Sequence, residues 1–195
     1  MQMISFQECT WLNKPNLSSV SENSLNIVTD EKTDFWRETH YGFVRDNGHF
    51  LGKAIKGDCT VQIRFRAVYS SLYDQAGLMV RMDEKNWIKT GIEYTDKKHA
   101  LSTVVTVEKS DWSVGELQGN CEDVRLRLTI SKGAVRIQAS TDGEHWPLFR
   151  LCPFPKREEY YIGPMCCSPE RTGFKAQFSE FMAGPPTLKD LHDLT

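Results

Sequence analysis

The chain has 195 residues, a length at which a single sandwich or barrel domain buries its core without disulfide or metal support. Its 24 basic and 26 acidic side chains give a net charge of −2 with no basic stripe, which argues against electrostatic binding to nucleic acids or membrane surfaces. Aromatic residues make up 11% of the chain, which argues against disorder and indicates a surface that stacks on a ligand.

The N-terminal residues 1–7 contain no basic segment followed by an apolar run, so no secretory signal is predicted. No stretch of 18 apolar residues occurs, so no transmembrane helix is expected. We therefore predict a cytoplasmic protein with reduced, mostly buried cysteines, although the even number of six also permits three disulfides. The five histidines are scattered without zinc-site spacing, so no metal or other cofactor is predicted.

Apolar and polar residues alternate along several short segments, which is typical of strands with one buried and one solvated face. In chain order these segments are 61–66, 74–81, 87–94, 102–107, 124–130, 135–140 and 174–178. The turn pair Asp142-Gly143 favours a hairpin after 135–140, because both central residues of a type I′ turn need positive φ. The pattern predicts an all-β sandwich of two antiparallel sheets.

Helical periodicity is almost absent before the last residues of the chain. There, Thr187 follows two prolines and is placed as an N-cap for a short helix over 187–194. We therefore predict a β-sandwich domain over 1–184 and a C-terminal tail with a short helix over 185–195.

The three central segments carry polar residues on one face in a pattern that differs from an ordinary solvated strand. Gly77 and Gly91 lie in mid-strand, where a glycine weakens the strand unless something must approach the backbone closely. Lys89 and Glu93 flank Gly91, about 13 Å apart along an extended strand. This arrangement predicts a ligand groove over Gly91; the alternative is a bulge or sheet bend beside a solvated Lys/Glu pair.

Catalysis is the less favoured interpretation of this face. Both glycosidase mechanisms need two carboxyl groups about 5–9.5 Å apart, and Glu93 has no acidic partner on its own face of the strand. Loop residues Asp34, Asp111 and Glu170 are available, but their spacing does not place them near Glu93. A second carboxyl within about 10 Å of Glu93 across an open cleft is the feature that would favour an enzyme.

Several longer blocks identify a family resemblance. The most specific are DQAGLMVR at 74–81 and WIKTGIE at 87–93, accompanied by TDFW at 33–36, LSTVVT at 101–106 and GFKAQF at 173–178. The set resembles the family called domain of unknown function 1349 over residues 5–184. That resemblance implies a concanavalin A-like jelly roll with a concave ligand-binding sheet, related to lectins and glucanases. It also implies a link to cytoplasmic regulators of enolase, as fungal members are described. The catalytic ExDxxE strand of laminarinase-like relatives of the fold is missing here.

The strand pattern and the resemblance together define ten candidate ligand-binding residues. They are Asp34, Trp36 and His49 at the rim, and Gln75, Arg81, Trp87, Lys89, Glu93, Thr106 and Trp112 on the polar face or beside it. The favoured hypothesis is binding of a carbohydrate or small polar ligand, with tryptophans stacking on it and polar groups binding its hydroxyls. The alternatives are a cytoplasmic regulatory protein that binds another protein, and a sugar-active hydrolase or isomerase that uses Glu93.

Overall fold

The computed structural model describes residues 1–195, and nearly all of its regular structure is strand. In chain order the strands are β1 (Gln2–Met3), β2 (Thr10–Leu12), β3 (Leu17–Val20), β4 (Leu25–Val28), β5 (Phe35–Arg37), β6 (Val44–Asp46), β7 (His49–Lys56), β8 (Cys59–Ala67), β9 (Gln75–Arg81), β10 (Asn86–Thr95), β11 (Lys98–Val107), β12 (Lys109–Gly115), β13 (Asp123–Ser131), β14 (Ala134–Ser140), β15 (Leu148–Pro153), β16 (Glu159–Cys167) and β17 (Lys175–Gly184). A 3-10 turn over Phe6–Glu8 is the one helical element. None of the helical segments has the length and hydropathy of a membrane-spanning helix.

The strands form two large sheets and one separate hairpin. The first sheet has the order β15-β14-β13-β8-β17-β4-β3, with β1 paired to β17. The second sheet has the order β12-β11-β10-β9-β16-β7-β2, and β5 pairs only with β6. Neighbouring strands run antiparallel in both sheets, so the predicted sandwich of two antiparallel sheets is confirmed.

The main core lies between the two sheets. From the second sheet, Leu78, Val80 and Ile88 point into it and are fully buried. From the first sheet, Ile63 and Leu126 face them and are equally buried. Burying a side chain of this size contributes about 1.5–3 kcal/mol, so the alternating apolar positions of the sequence hold the sheets together.

The outer face of the second sheet, turned away from the first, is also covered. The β5–β6 hairpin and adjoining loops lie over it and form a second apolar cluster with it. The cluster contains Phe35, Trp36, Phe50, Met79, Trp87, Val104, Met165 and Cys167. The polar side chains on this face therefore lie under a cover instead of facing open solvent.

The predicted C-terminal helix is wrong. Residues 185–195 contain one turn and no helix. The Thr187 N–H donates to Thr60 Oγ1 at 2.8 Å, and the Arg136 guanidinium donates to the carbonyl oxygens of Thr187 and Lys189 at 3.3 and 2.8 Å. Because the first sheet binds carbonyl groups that a helix would need internally, the tail stays extended along that sheet.

Candidate functional site

Ion pairs fix the β5–β6 hairpin on the second sheet. At one end of the hairpin, Asp34 Oδ1 lies 2.6 Å from Lys89 Nζ on β10. At the same open end, where Phe35 pairs with Asp46, the Asp46 carboxylate receives two hydrogen bonds, of 2.7 and 2.8 Å, from the Arg81 guanidinium on β9. A bidentate pair of this kind sets orientation as well as distance, so the hairpin has a defined position over the sheet.

A cavity of about 180 Å³ opens between this hairpin, the second sheet and the loop after β16. Acidic, basic and aromatic side chains line it together. They are Asp34, Trp36, Tyr41, Phe43, Tyr73, Gln75, Lys89, Glu93, Val104, Trp112, Pro169 and Glu170. Pockets for drug-sized ligands measure about 300–1,000 Å³, so this cavity suits one small group and not an extended polymer.

Four aromatic side chains, which we call the aromatic cage, form a closed ring around the cavity. Trp36 packs edge to face against Tyr41 (centroids 5.6 Å apart, planes at 73°) and against Trp112 (6.5 Å, 86°). Trp112 packs edge to face against Tyr73 (6.4 Å, 78°). The hydroxyl groups of Tyr73 and Tyr41 share a 3.3 Å hydrogen bond, which closes the ring. That bond, together with burial, raises the pKa of Tyr73 to about 12.

Glu93 lies beneath the aromatic cage and is only 3% exposed. Its Oε2 accepts a 3.3 Å hydrogen bond from the Ser102 hydroxyl, whose oxygen accepts one of 3.0 Å from the Trp112 indole N–H. Its Oε1 is buried without a hydrogen-bond partner in the protein. Burial raises the pKa of Glu93 to about 7, with the Asp34 charge adding to that effect and the Lys89 charge opposing it.

Lys89 is as buried as Glu93, and its partner is Asp34. Burial by itself would lower the pKa of Lys89, but the adjacent Asp34 carboxylate, with smaller contributions from Cys167 and Glu93, raises it above the ordinary value. The ammonium group therefore stays charged. Glu93 and Glu170 have no ion-pair partner within 4 Å, so the cavity holds three carboxyl groups against one ammonium group.

Gly77 and Gly91 are required by a close contact between two strands, and not by the ligand groove that the sequence predicts over Gly91. Gly77 and Gly91 face each other across β9 and β10. A Cβ on Gly91 would lie 2.1 Å from the Ala76 carbonyl oxygen, and one on Gly77 would lie 2.0 Å from that of Thr90. They therefore permit two backbones to approach each other. The space beside Gly91 is about 10 Å³, room for about one water molecule, so the larger cavity lies beside the predicted position and not over Gly91.

The structure brings six of the ten candidate residues to the cavity: Asp34, Trp36, Gln75, Lys89, Glu93 and Trp112. Trp87 does not line it, because Phe35 of the hairpin covers its indole (centroids 6.0 Å apart) and leaves it fully buried. Arg81 is also outside, since its guanidinium is taken up by Asp46.

The other two candidates are held by local hydrogen bonds away from the cavity. His49 is buried, with Nδ1–H donating to the Asn13 carbonyl oxygen at 2.7 Å and Nε2 accepting from the Asp30 N–H at 3.0 Å. Thr106 Oγ1 lies 2.9 Å from the Ser110 hydroxyl and is fully buried. Neither side chain has a hydrogen-bonding group directed at the cavity lining.

Sequence reasoning missed the parts of the site that come from loops. Tyr41 and Phe43 lie in the tip of the β5–β6 hairpin, Tyr73 precedes β9, and Glu170 follows β16. A possible signal for the first two was three aromatic residues within 36–43, a dense group for a turn segment. Tyr73 and Glu170 carry no periodic signal, because loop side chains are placed by the chain path and not by strand alternation.

The arrangement supplies a proton donor or acceptor at neutral pH. A carboxyl group with a pKa of about 7, such as that of Glu93, exchanges a proton near neutral pH, as a general acid or base must. Asp34 and Glu170 bring further carboxyl groups to the same cavity, and Glu93 is not closed off by an ion pair. Use of Glu93 by a sugar-active hydrolase or isomerase therefore stays a hypothesis.

Comparison with known proteins gives relatives of high and low similarity. A Saccharomyces cerevisiae protein named "Regulation of enolase protein 1" is 52% identical over 186 residues, 95% of this chain and 94% of the yeast protein. The crystal structure of a functionally unknown protein from the same yeast matches with a TM-score of 0.92 and 50% identity, covering 94% of this chain and 99% of that one. A xylan β-1,4-xylosidase from Bacillus halodurans matches at a TM-score of 0.62 and 15% identity over 82% of this chain and 32% of that one, which shows a shared jelly-roll fold alone.

The family match spans both sheets. A family model described as "Protein of unknown function (DUF1349)" matches residues 11–186. This range includes β3 to β17, most of β2 and every residue that lines the cavity. The resemblance carried by the blocks at 74–81 and 87–93 is thereby confirmed, and the chain belongs to the DUF1349 family of proteins of unknown function.

Proposed function

We propose that this protein binds a carbohydrate or another small polar ligand in the cavity bounded by the aromatic cage. The observation that carries the proposal is the buried Glu93 carboxyl, whose Oε1 has no hydrogen-bond partner and which lines a cavity bounded by aromatic rings. A buried polar atom left without a partner costs about 1–3 kcal/mol. A ligand that donates a hydrogen bond to this oxygen recovers that free energy on binding.

The aromatic cage supplies the second half of the interaction. Trp112 is anchored through its indole N–H to Ser102 and stays partly exposed, so part of its ring is available for contact. Trp36 is held in the same way by a 3.0 Å hydrogen bond from its indole N–H to the Thr39 carbonyl oxygen. Indoles whose polar ends are already bonded offer apolar ring area to a ligand, and aromatic side chains lose little conformational entropy when they are used this way.

The proposal is tested by isothermal titration calorimetry with a panel of monosaccharides and small polar metabolites. Binding by the wild type and at least about tenfold weaker binding by Glu93→Ala and Trp112→Leu are expected, since tenfold is about 1.4 kcal/mol. Glu22→Ala, in the exposed turn between β3 and β4, and Tyr161→Leu, on the same sheet four strands from Trp112, are the controls. Absence of binding across the panel, or equal binding by Glu93→Ala, would contradict the proposal.

A second candidate is a cytoplasmic regulatory protein that binds another protein. The yeast relative is named for regulation of enolase. Large apolar side chains are exposed beside the cavity, among them Tyr41, Phe43 and Val44 of the hairpin. Contiguous exposed apolar residues are typical of interaction sites.

This candidate is tested by direct binding to purified enolase from the same source, measured by calorimetry. Phe43→Asp and Val44→Asp are expected to abolish the interaction, and Leu151→Asp, an exposed apolar position on β15 of the first sheet, is expected to leave it unchanged. If the wild-type protein does not bind enolase, the name of the yeast relative no longer supports this candidate function.

A further inference from the structure

We infer that the ligand carries a cationic ammonium group, which the aromatic cage surrounds and the Glu93 carboxylate faces. The inference rests on the proposed function and narrows it to one chemical class. It follows from three independent features of the cavity: the mutual orientation of the four rings, the excess of negative charge, and the kind of hydrogen-bonding capacity that stays free.

The ring orientations are those that suit a cation. In three of the four neighbouring pairs of the aromatic cage, the ring planes lie at 73°, 86° and 78° to each other. A sugar stacks on one or two parallel ring faces, whereas rings turned nearly perpendicular to one another surround a compact, roughly spherical group from several sides. The negative face of each ring attracts a cation within about 6 Å of its centroid, and quaternary ammonium groups are recognised in this way.

The charges of the cavity favour the same ligand. Lys89, the only basic residue among the lining residues, is engaged by Asp34 at 2.6 Å. Glu93 and Glu170 have no ion-pair partner, so acidic groups outnumber basic ones in the cavity lining. A carboxylate or phosphate ligand would be repelled by these groups, a neutral sugar would gain only hydrogen bonds from them, and an ammonium group would gain charge attraction as well.

The free hydrogen-bonding capacity is that of an acceptor. The indole N–H groups of Trp36 and Trp112 are both occupied, by the Thr39 carbonyl oxygen and the Ser102 hydroxyl. Ser102 in turn donates to Glu93 Oε2, which leaves Oε1 as the unpartnered buried atom. An ionised carboxylate oxygen only accepts hydrogen bonds, so the complementary group is a donor or a positive charge.

An ammonium group can be presented by several molecules, and the probes separate them. Choline presents it on a small alcohol, glucosamine on a sugar, and a short peptide with trimethyllysine on a protein side chain. Each probe has a neutral counterpart of the same shape or nearly so: 3,3-dimethylbutan-1-ol for choline, glucose for glucosamine, and the acetyllysine peptide for the methylated one. The difference within a pair measures the contribution of the charge.

The test is calorimetric titration of the full-length protein at pH 8 with each pair. At least one ammonium probe is expected to bind at least about tenfold more tightly than its neutral counterpart, and Glu93→Gln is expected to remove most of that preference. Glu22→Gln removes one exposed carboxylate elsewhere and is expected to leave the preference unchanged. The tightest probe identifies the source of the ammonium group.

The outcomes separate this inference from the proposed function. Equal binding of charged and neutral partners, or binding of glucose without glucosamine or choline, overturns the ammonium inference while the ligand-binding proposal stands. Binding of no probe and no sugar overturns both. The comparison of choline with its neutral counterpart needs only the wild-type protein. It therefore tests the ammonium inference even if Glu93→Gln changes the stability of the protein.

Discussion

At the scale of single residues, Glu93 is placed where it opposes folding. Its pKa lies at about 7 in the folded protein against 4.5 for an ordinary glutamate, chiefly because burial disfavours the charged form. Well below pH 4.5 the group is protonated in both states, and its ionisation makes no contribution to stability. Between pH 4.5 and 7 the unfolded chain loses its proton first, so stability falls as the pH rises. Ionised Glu93 therefore lowers stability at neutral pH, and a ligand that binds its carboxylate in the folded protein would offset that loss.

Glu93→Gln is therefore expected to stabilise the protein at neutral and alkaline pH. The shift from 4.5 to about 7 corresponds to about 3 kcal/mol, which appears as pH rises through that window and is constant above it. The measurement is urea unfolding of wild type and variant at pH 4.5, 6 and 8. Other titrating groups are common to both proteins and cancel in the difference. A difference that does not change with pH would contradict the buried, raised-pKa description of Glu93.

A glycine is required at position 91 because the backbone of β9 leaves no room for a Cβ there, and a substitution tests this requirement. Gly91→Ala puts a Cβ 2.1 Å from the Ala76 carbonyl oxygen, so β9 and β10 must separate locally. A loss of about 1–3 kcal/mol or more in the free energy of unfolding is expected. Gly184→Ala is the control, because its nearest neighbour is Met1 at 3.1 Å, a chain end that can move aside. Equal losses in the two variants would contradict the close-approach explanation.

At the scale of elements, the β5–β6 hairpin converts a sheet face into a site. It covers Trp87 with Phe35 and contributes Trp36 and Tyr41 to the aromatic cage. The pair between Asp46 and Arg81 anchors it, with the Arg81 side chain only slightly exposed. Loss of this anchor should loosen the hairpin while the sandwich below stays folded.

Asp46→Asn is expected to raise amide hydrogen exchange within 34–46 and to lower stability by about 1–2 kcal/mol, since the Arg81 guanidinium loses its charged partner. Glu116→Gln is the matched control, because its contact with Lys98 on the same sheet is exposed and such pairs contribute little. Hydrogen-exchange mass spectrometry measures the protection of 34–46 in both variants. Unchanged protection of 34–46 in Asp46→Asn would show that apolar packing alone holds the hairpin.

The element scale also shows how far sequence patterns reach. Alternation correctly assigned Leu78 and Ile88 to the core face and Lys89 and Glu93 to the opposite one. It could not show that the opposite face is covered, because the covering contacts join residues far apart in sequence, such as Asp34 and Lys89. Trp87 was therefore assigned to a ligand surface although it is fully buried.

At the scale of the whole molecule, the C-terminal tail is packed along the first sheet. The backbone N–H of Trp146 donates to the Leu194 carbonyl oxygen at 2.8 Å, and the Arg136 guanidinium donates to the carbonyl oxygen of Lys189. The Arg127 guanidinium, 3.9 Å from the centre of the Trp146 ring, donates to the carbonyl oxygen of the last residue. The tail thus completes hydrogen bonds that the sheet leaves open, although the family match ends at residue 186.

Removal of 187–195 is accordingly expected to lower the melting temperature by roughly 2–8 °C, the equivalent of about 1–2 kcal/mol for a domain of this size. Leu188→Ser, at a tail position that is 82% exposed, is expected to change nothing. Differential scanning calorimetry measures both. A truncated protein as stable as the full chain would instead support the predicted division into a domain over 1–184 and an independent tail.

The sandwich could be predicted from local patterns, because strand alternation and turn residues are properties that the chain carries whatever its tertiary context. The shared face of Lys89 and Glu93 likewise follows from a period of two. Which polar residues meet a cavity and which are covered depends on the packing of distant segments. The aromatic cage joins Trp36, Tyr41, Tyr73 and Trp112 from separate elements, and Glu93 acquires its raised pKa from burial beneath them. Packing and desolvation depend on how distant segments come together, and a linear pattern does not encode that arrangement.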